Sequence, residues 1–375
     1  MIARLIEFSA RRRLIVLLVV AALCGFAVHT LRTIRLDALP DLSDTQVIVY
    51  TRWDRSPDIL EDQVTYPIVS GLLGAPRVKA IRGFSDFGFS FVYVVFQDGT
   101  DLYWARSRVL EYLSKIQLPE GVRPELGPDA TGVGWIYQYA LVDHSGTHSL
   151  DELRSFQDWT LRYALQSVPG VAEVASFGGF EKQYQVVVDP ARLAAHGISI
   201  DQVMAAVHGS NNEVGGRLVE WSGTEYMVRA RGYATSPEDF ASIVLRADAN
   251  GVPVLLRDVA QVGTGPEIRR GVADLNGEGD HVGGIIVMRH GENALNVIRA
   301  VKARLHELAP SMPTGVEVVP TYDRADLITR AIDTLKHELG IEMLIVALVI
   351  LVFLWHIPSA LVPIVTIPVA VLLSF

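Results

Sequence analysis

A chain of 375 residues is too long for a single hydrophobic core and implies two or three domains. Half of its residues are hydrophobic, which is high for a protein surrounded by water, and the excess gathers at the two ends. A net charge of -9 argues against a nucleic-acid surface, and a single cysteine, Cys24, excludes a disulfide framework.

At the start, Arg11, Arg12 and Arg13 precede an uncharged apolar run over residues 14–31, long enough to span a bilayer. A signal peptide is the competing reading, but no small-x-small cleavage site comes after Gly25, and Leu23 before Cys24 is too bulky for a lipobox. The run is expected to be an uncleaved anchor. Three arginines on its near side place residues 1–13 in the cytoplasm and the chain beyond Leu31 outside it.

Next comes a repeat. Ser56, Asp58, Leu60, Pro76, Val78 and Phe84 recur at a constant offset as Ser149, Asp151, Leu153, Pro169, Val171 and Phe177. In each copy a strand (45–54, then 135–143) leads to a serine N-cap, a helix of about 19 residues closed by proline, and a second strand. The first copy finishes at once, with a strand over 89–98 and a helix over 101–116 that puts Leu102, Ala105, Val109, Leu113 and Ile116 on one face. It ends at the turn Pro119-Glu120-Gly121-Val122. The second copy finishes only with a strand over 280–288, a helix over 293–308, the echoing turn Pro313-Thr314-Gly315-Val316 and a strand over 317–322. Each copy reads as a ferredoxin-like βαββαβ unit, with residues 127–141 (GPDATGVGWIYQYAL) as the hinge between them and an inserted domain from about 180 to 271.

Residues 340–355 are again nearly all apolar, and after a break at 356–359 so are residues 360–375. Asp326, Asp333, Glu338 and Glu342 lie before or just inside the first run, so one amphipathic helix is expected to run from the outer domain into the membrane. The chain ends inside a third apolar run and is expected to be a fragment of a longer protein.

The chain has no HExxH, CxxC, Walker lysine or nucleophile elbow, which argues against an enzyme. His144 and His148 flank a Ser-Gly-Thr turn close to Asp143 and Asp151, a spacing able to ligate a divalent metal; a solvated hairpin loop is the alternative. No Met-x-x-Met cluster occurs. Met204, Met227 and Met288 are expected to fill cores, with Met227 and Met288 the soft-ligand candidates. Gly178-Gly179 and Gly283-Gly284 are expected at strand ends, as turns or bulges. A projecting arm is expected from Asn211 and Asn212 through a hairpin-like pair, 217–221 and 225–231, carrying Arg217, Trp221, Glu225 and Arg231.

An anchor, a large outer part built as an interrupted repeat, and a return through closely spaced spans together resemble the resistance-nodulation-division (RND) efflux transporters. Six words narrow this to the heavy-metal branch, most like its copper/silver members: LDALPDLSDTQVIVYT (36–51), EDQVTYPI (61–68), FQDGTDLYWARSRVLEYL (96–113), GPDATGVGWIY (127–137), KQYQVVVDPARLAAHGIS (182–199) and FLWHIPSALV (353–362). The resemblance implies a multi-pass α+β membrane protein of the bacterial inner membrane, the N-terminal part of a proton-driven antiporter. It implies a homotrimer with a periplasmic adaptor (membrane fusion) protein and an outer-membrane channel. No cofactor is implied beyond the transported metal ion and the proton gradient.

By the same resemblance, residues 37–130 are a first porter subdomain, 131–180 with 272–322 a second, and 181–271 a docking domain whose arm meets a neighbouring subunit. Residues 323–339 are a connecting helix, 340–355 a second transmembrane helix and 360–375 the start of a third. Arg82, in KAIRGF, matches a basic residue near the periplasmic cleft; a surface salt bridge is its alternative. The family's three-methionine site and its proton-relaying acids lie beyond residue 375, so no metal site is implied within this chain. Copper/silver members carry methionine where this chain has Ile268, which puts a methionine relay in doubt. Two alternatives stay open: a pump for divalent Zn, Co, Cd or Ni, and a membrane-anchored periplasmic binding module that transports nothing.

Overall fold

The computed structural model describes residues 2–34, 37–213, 215–216, 218–228, 232–247, 251–269 and 271–374. It divides into two compact units, one formed by residues 1–144, 159–177 and 283–375, the other by residues 145–158 and 178–282.

The larger unit opens with a short helix, α1 (Ile2–Arg11), and a long apolar one, α2 (Arg13–Thr33). The first repeat comes next: strand β1 (Gln46–Arg52), helix α3 (57–72), strands β2 (Val78–Asp86) and β3 (Phe89–Phe96), helix α4 (Leu102–Leu113) and strand β4 (Pro124–Leu126). Ser56 and Asp101 stand at the N-cap positions of the two helices, and the Asp101 carboxylate accepts a hydrogen bond from the Trp104 N–H. The strands form one sheet in the order β2-β3-β1-β4. Along β1 burial alternates, so that Val47, Val49 and Thr51 face inward. Val47 and Val49 pack with Val92, Val94 and Phe96 of β3 against Leu60, Val64, Ile68 and Leu72 of α3 and Ala105 and Val109 of α4. Truncating one such fully buried Leu or Ile to Ala costs about 2–5 kcal/mol.

The second repeat begins with β5 (Trp135–Asp143), whose limits match the sequence expectation, then α5 (150–166) and β6 (Val171–Gly178). It resumes with β13 (Val282–Met288), α10 (Ala294–Leu308) and β14 (Val316–Asp323), numbered in the chain after the elements of the insertion. Its sheet runs β14-β5-β13-β6. Counting strands within each repeat from one to four, both sheets therefore have the order 4-1-3-2. Both first helices also widen into a π turn, at Glu61–Thr65 and Gln157–Leu161.

Gly283 and Gly284 correct the sequence expectation. They lie inside β13, a strand buried on both faces, and do not end it in a turn. A Cβ on Gly283 would stand 2.4 Å from the Tyr139 carbonyl oxygen and from the Phe177 ring; one on Gly284 would stand 2.5 Å from the Tyr139 ring. Two large aromatics occupy the volume that side chains would need. Gly178 and Gly179, in contrast, adopt left-handed φ of 69° and 57° and do turn the chain.

In the smaller unit, β7 (Lys182–Val188) pairs antiparallel with β12 (Ala260–Pro266). Between them lie α6 (Pro190–His196), α7 (Ile200–Ser210), the strands β8 (Leu218–Trp221) and β9 (Thr224–Met227), α8 (Pro237–Ala241), β10 (Val244–Ala247), β11 (Pro253–Leu255) and α9 (Leu256–Val259). Leu193, Val203, Phe240, Leu256 and Val259 form a core of their own. Helix α7 begins with a reciprocal Ser199–Gln202 capping box.

The chain leaves β14 directly into α11 (Arg324–Leu354), an unbroken helix of 31 residues. At 1.5 Å per residue this is about 46 Å, longer than a hydrocarbon core of about 30 Å, and its charges are confined to the part up to Glu342. The expected break shrinks to Trp355, which is left-handed at φ 41°, and His356, because Pro358 fits the first turn of α12 (Ile357–Leu373) where no N–H is needed. Among the described residues two helices, α2 and α11, are long and apolar enough to cross a membrane; α12 is shorter.

Replacing Gly284 by valine is expected to lower stability by about 2–3 kcal/mol through overpacking against Tyr139. The same change at Gly263, where no atom lies within 4 Å of a built Cβ, leaves it within about 0.5 kcal/mol. Thermal unfolding of the two purified variants, monitored by tryptophan fluorescence, checks both.

Candidate functional site

The junction between the repeats, 127–135, is held by its backbone. Gly134 N–H donates to the Thr131 carbonyl at 2.9 Å, Met288 N–H to the Gly134 carbonyl at 2.7 Å, and His290 N–H to the Asp129 carbonyl at 2.9 Å. The Asp129 carboxylate accepts the Tyr103 hydroxyl of the first repeat at 2.8 Å and lies 3.4 Å from Arg289 of the second. One aspartate thus ties α4 to the loop after β13.

Beside this junction is a cavity of about 280 Å³ lined by Asp37, Asp41, Thr131, Met288, Arg289 and His290, among others. Burial pushes the Asp41 carboxyl up, but hydrogen bonds from Thr131 and Ser43 and the nearby His290 outweigh it, so its pKa ends below the usual range. His290 Nδ1 lies 3.7 Å from Asp41. Arg324, the first residue of α11, is 3% exposed and is the one charged side chain that is buried among the described residues. Its guanidinium donates to Asp37 at 3.1 Å and to the carbonyls of Val133 and Trp135 at 2.6 Å each.

Within the first sheet, Tyr50 of β1 stands across from Glu125 of β4. Its hydroxyl donates to Glu125 at 2.6 Å. That hydrogen bond, burial, and the negative charges of Glu125 and Glu173 push the phenol from its ordinary 10 up to about 12, against the opposing charge of Arg162. Tyr137 reaches about 12 as well, by burial and by the charge of Asp323.

The sequence-derived candidates scatter. His144 pairs with Glu317 at 3.1 Å, whereas His148 lies 3.7 Å from Glu152. The two histidines pair with different acids, and no group of three or more His, Cys, Asp or Glu able to hold a metal occurs among the described residues. Met288 is buried and lines the cavity, as a core methionine can. Met204 and Met227 are 62% and 79% exposed, which corrects their reading as core filler: Met227 ends a two-stranded arm that has no sheet beneath it. Arg82 is exposed on β2, with no ion pair among the described residues. Ile268 is exposed.

The arm itself is present. Strands β8 and β9 pair around a Ser222-Gly223 turn whose φ values, 54° and 75°, are both left-handed. Every residue of the two strands is exposed, Trp221 among them, and Glu225 stands directly across from Glu220, an unfavourable like-charge pair. Asn211 caps the end of α7 and accepts the Ala234 N–H at 2.9 Å; Asn212 is exposed. Arg217 and Arg231 lie outside the described residues. The sequence reading missed Arg324 and Asp37. Their signals were an arginine next to an N-capping aspartate at the head of a membrane helix, and an aspartate just past the first span.

Helices long and apolar enough to cross a membrane thus bracket a repeated α/β unit that is interrupted by a second domain. The profile of the AcrB/AcrD/AcrF family matches residues 5–375, and the chain belongs to that family. Cation efflux system protein CusA of Escherichia coli strain K12 is 55% identical over 378 aligned residues, covering 100% of this chain and 36% of that protein. Cobalt-zinc-cadmium resistance protein CzcA of Cupriavidus metallidurans is 37% identical over 385 residues, with the same coverage. The X-ray crystal structure of a heavy metal efflux pump, crystal form II, superposes with a TM-score of 0.89 at 33% identity, covering 98% of this chain and 37% of that one. The resemblance to the heavy-metal branch of the RND transporters, most like the copper/silver members, is thereby borne out. The chain spans about a third of the length of the curated relatives it matches.

The Tyr50 phenol is expected to ionise near pH 12 and to fall back toward 10 in Glu125→Gln. Because the folded-state value is the higher one, the contact contributes below pH 10 and is lost as the pH rises through 12. Phenolate absorbance, with Tyr50→Phe as the blank, measures the shift.

Proposed function

We propose that this chain is the amino-terminal part of a proton-driven RND transporter that exports heavy-metal cations, Cu(I) and Ag(I), across the cell envelope. The observation that carries the metal assignment is the 55% identity along the whole chain to a protein named CusA, against 37% to one named for cobalt, zinc and cadmium. On this reading both repeats are ferredoxin-like porter subdomains, residues 37–130 and 131–180 with 272–322. Rocking of one against the other about residues 127–135 gives a cation alternating access to the two sides. The shared strand order and the glycine-bearing junction support it.

Residues 181–271 are the docking domain of a homotrimer, and the arm at Trp221 reaches a neighbouring subunit. The like-charge Glu220–Glu225 pair supports this, since a basic surface on the neighbour would relieve it. A periplasmic adaptor and an outer-membrane channel complete the path, with the N-terminus in the cytoplasm and the folded units in the periplasm. The export of Zn, Co, Cd or Ni is the second reading. Ile268 favours it, because an aliphatic side chain offers no soft ligand for Cu(I) or Ag(I).

The test is survival of cells stripped of their own exporters and given the whole gene. Protection against silver and copper but not zinc or cobalt is expected; protection against zinc, cobalt, cadmium or nickel alone overturns the metal assignment. Separately, Trp221→Ala is expected to weaken the trimer by about 2 kcal/mol, roughly thirty-fold in the dissociation constant, read by native mass spectrometry across a dilution series.

A further inference from the structure

Arg324 stands where a helix does not want it. As the first residue of α11 it places a positive charge at the positive end of the helix dipole, and it buries that charge almost completely. The cap does not require it: the Asp323 carboxylate already accepts the Ala325 N–H at 2.9 Å. An apolar residue would seal the junction without desolvating a charge. The use of the guanidinium lies in what it joins. Nη1 reaches Asp37 in the segment leaving α2, and Nη1 and Nη2 reach the carbonyls of Val133 and Trp135 at the junction of the repeats. Nε donates to the Tyr322 hydroxyl on β14 at 3.3 Å. The end of α2 is held nearby as well, by the Asn293 side-chain amide donating to the Ile34 carbonyl at 3.1 Å.

We propose that Arg324 is a positioning residue that couples both membrane helices to the hinge between the repeats, so that tilting of α11 or α2 is delivered at Val133–Trp135. The inference rests on the export reading. An unbroken helix transmits a tilt, and a planar fork with fixed donors can hold two carbonyls and a carboxylate at once, which a lysine ammonium on a flexible stem does not reproduce. The joint touches no cargo. It sets which hinge geometry accompanies which membrane geometry.

The test uses the whole protein in liposomes loaded with a pH-sensitive dye, with Ag(I) as the probe. Two variants are compared with the wild type: Arg324→Lys, and Arg324→Met combined with Asp37→Leu, which replaces the buried pair by apolar groups of similar size. In the double variant the melting temperature and Ag(I) affinity, within about twofold, are expected to stay at wild-type values. Silver-driven proton exchange is expected to fall tenfold or more in both variants. Wild-type exchange in either variant overturns the joint. If neither variant folds, hydrogen exchange on the unmodified protein decides. Amides at residue 37 and at 133–135 change protection together on adding Ag(I) if the joint exists; independent changes, or none, overturn it. A wild type that exchanges neither silver nor any divalent cation for protons sinks the export reading instead.

Discussion

One buried guanidinium ties the head of the long apolar helix α11 to the folded part of the larger unit. Arg324 has traded water for one carboxylate, two carbonyls and a hydroxyl. Breaking such a set on one side leaves a charge uncompensated in the interior, at a cost of about 3–5 kcal/mol. The start of α11, the segment after α2 and the stretch 133–135 are therefore not free to choose their positions independently. The Asp129 bridge to Tyr103 and Arg289 extends the same constraint to both repeats.

Around that knot the chain solves one packing problem twice. Each repeat sets two helices against a four-stranded sheet of the same order, and each first helix carries a π turn. The two copies differ in the middle of the sheet. Strand β3 of the first alternates in burial over its first six residues, whereas its counterpart β13 in the second is buried on both faces and gives up two side chains so that Tyr139 and Phe177 can pack. The insertion enters after β6 and leaves before β13, between two strands that are neighbours in the sheet, so it interrupts the sequence without interrupting the pairing.

What the sequence made legible was periodic. The recurring serine caps, the helical face Leu102–Ala105–Val109–Leu113 and the apolar runs foretold the elements of the two repeats and the long apolar helices, and strand β5 to the residue, but within the insertion only the arm was foreseen. What stayed hidden depends on contacts distant along the chain. A Gly-Gly pair in a strand cannot be told from a bulge until the rings that need its space are located. Met227 looked like core because methionine usually is, but a two-stranded arm has no interior. His144 and His148 are close in sequence, yet they pair with two different acids, Glu317 and Glu152. Arg324 and Asp37 were invisible as a pair, being far apart in the chain and each unremarkable alone. The family words carried the functional reading further than any local chemistry did, because the described residues hold no metal-ligand cluster.

The central claim, that the two repeats are bodies hinged at residues 127–135 and moved relative to each other during export, is tested most directly by a distance. Spin labels at Leu110 on α4 and Arg299 on α10, both exposed, report the separation of the repeats in the whole protein. The account predicts at least two distance populations whose ratio changes when Ag(I) is added under a proton gradient. A single distance, unchanged by cation and gradient alike, would contradict it.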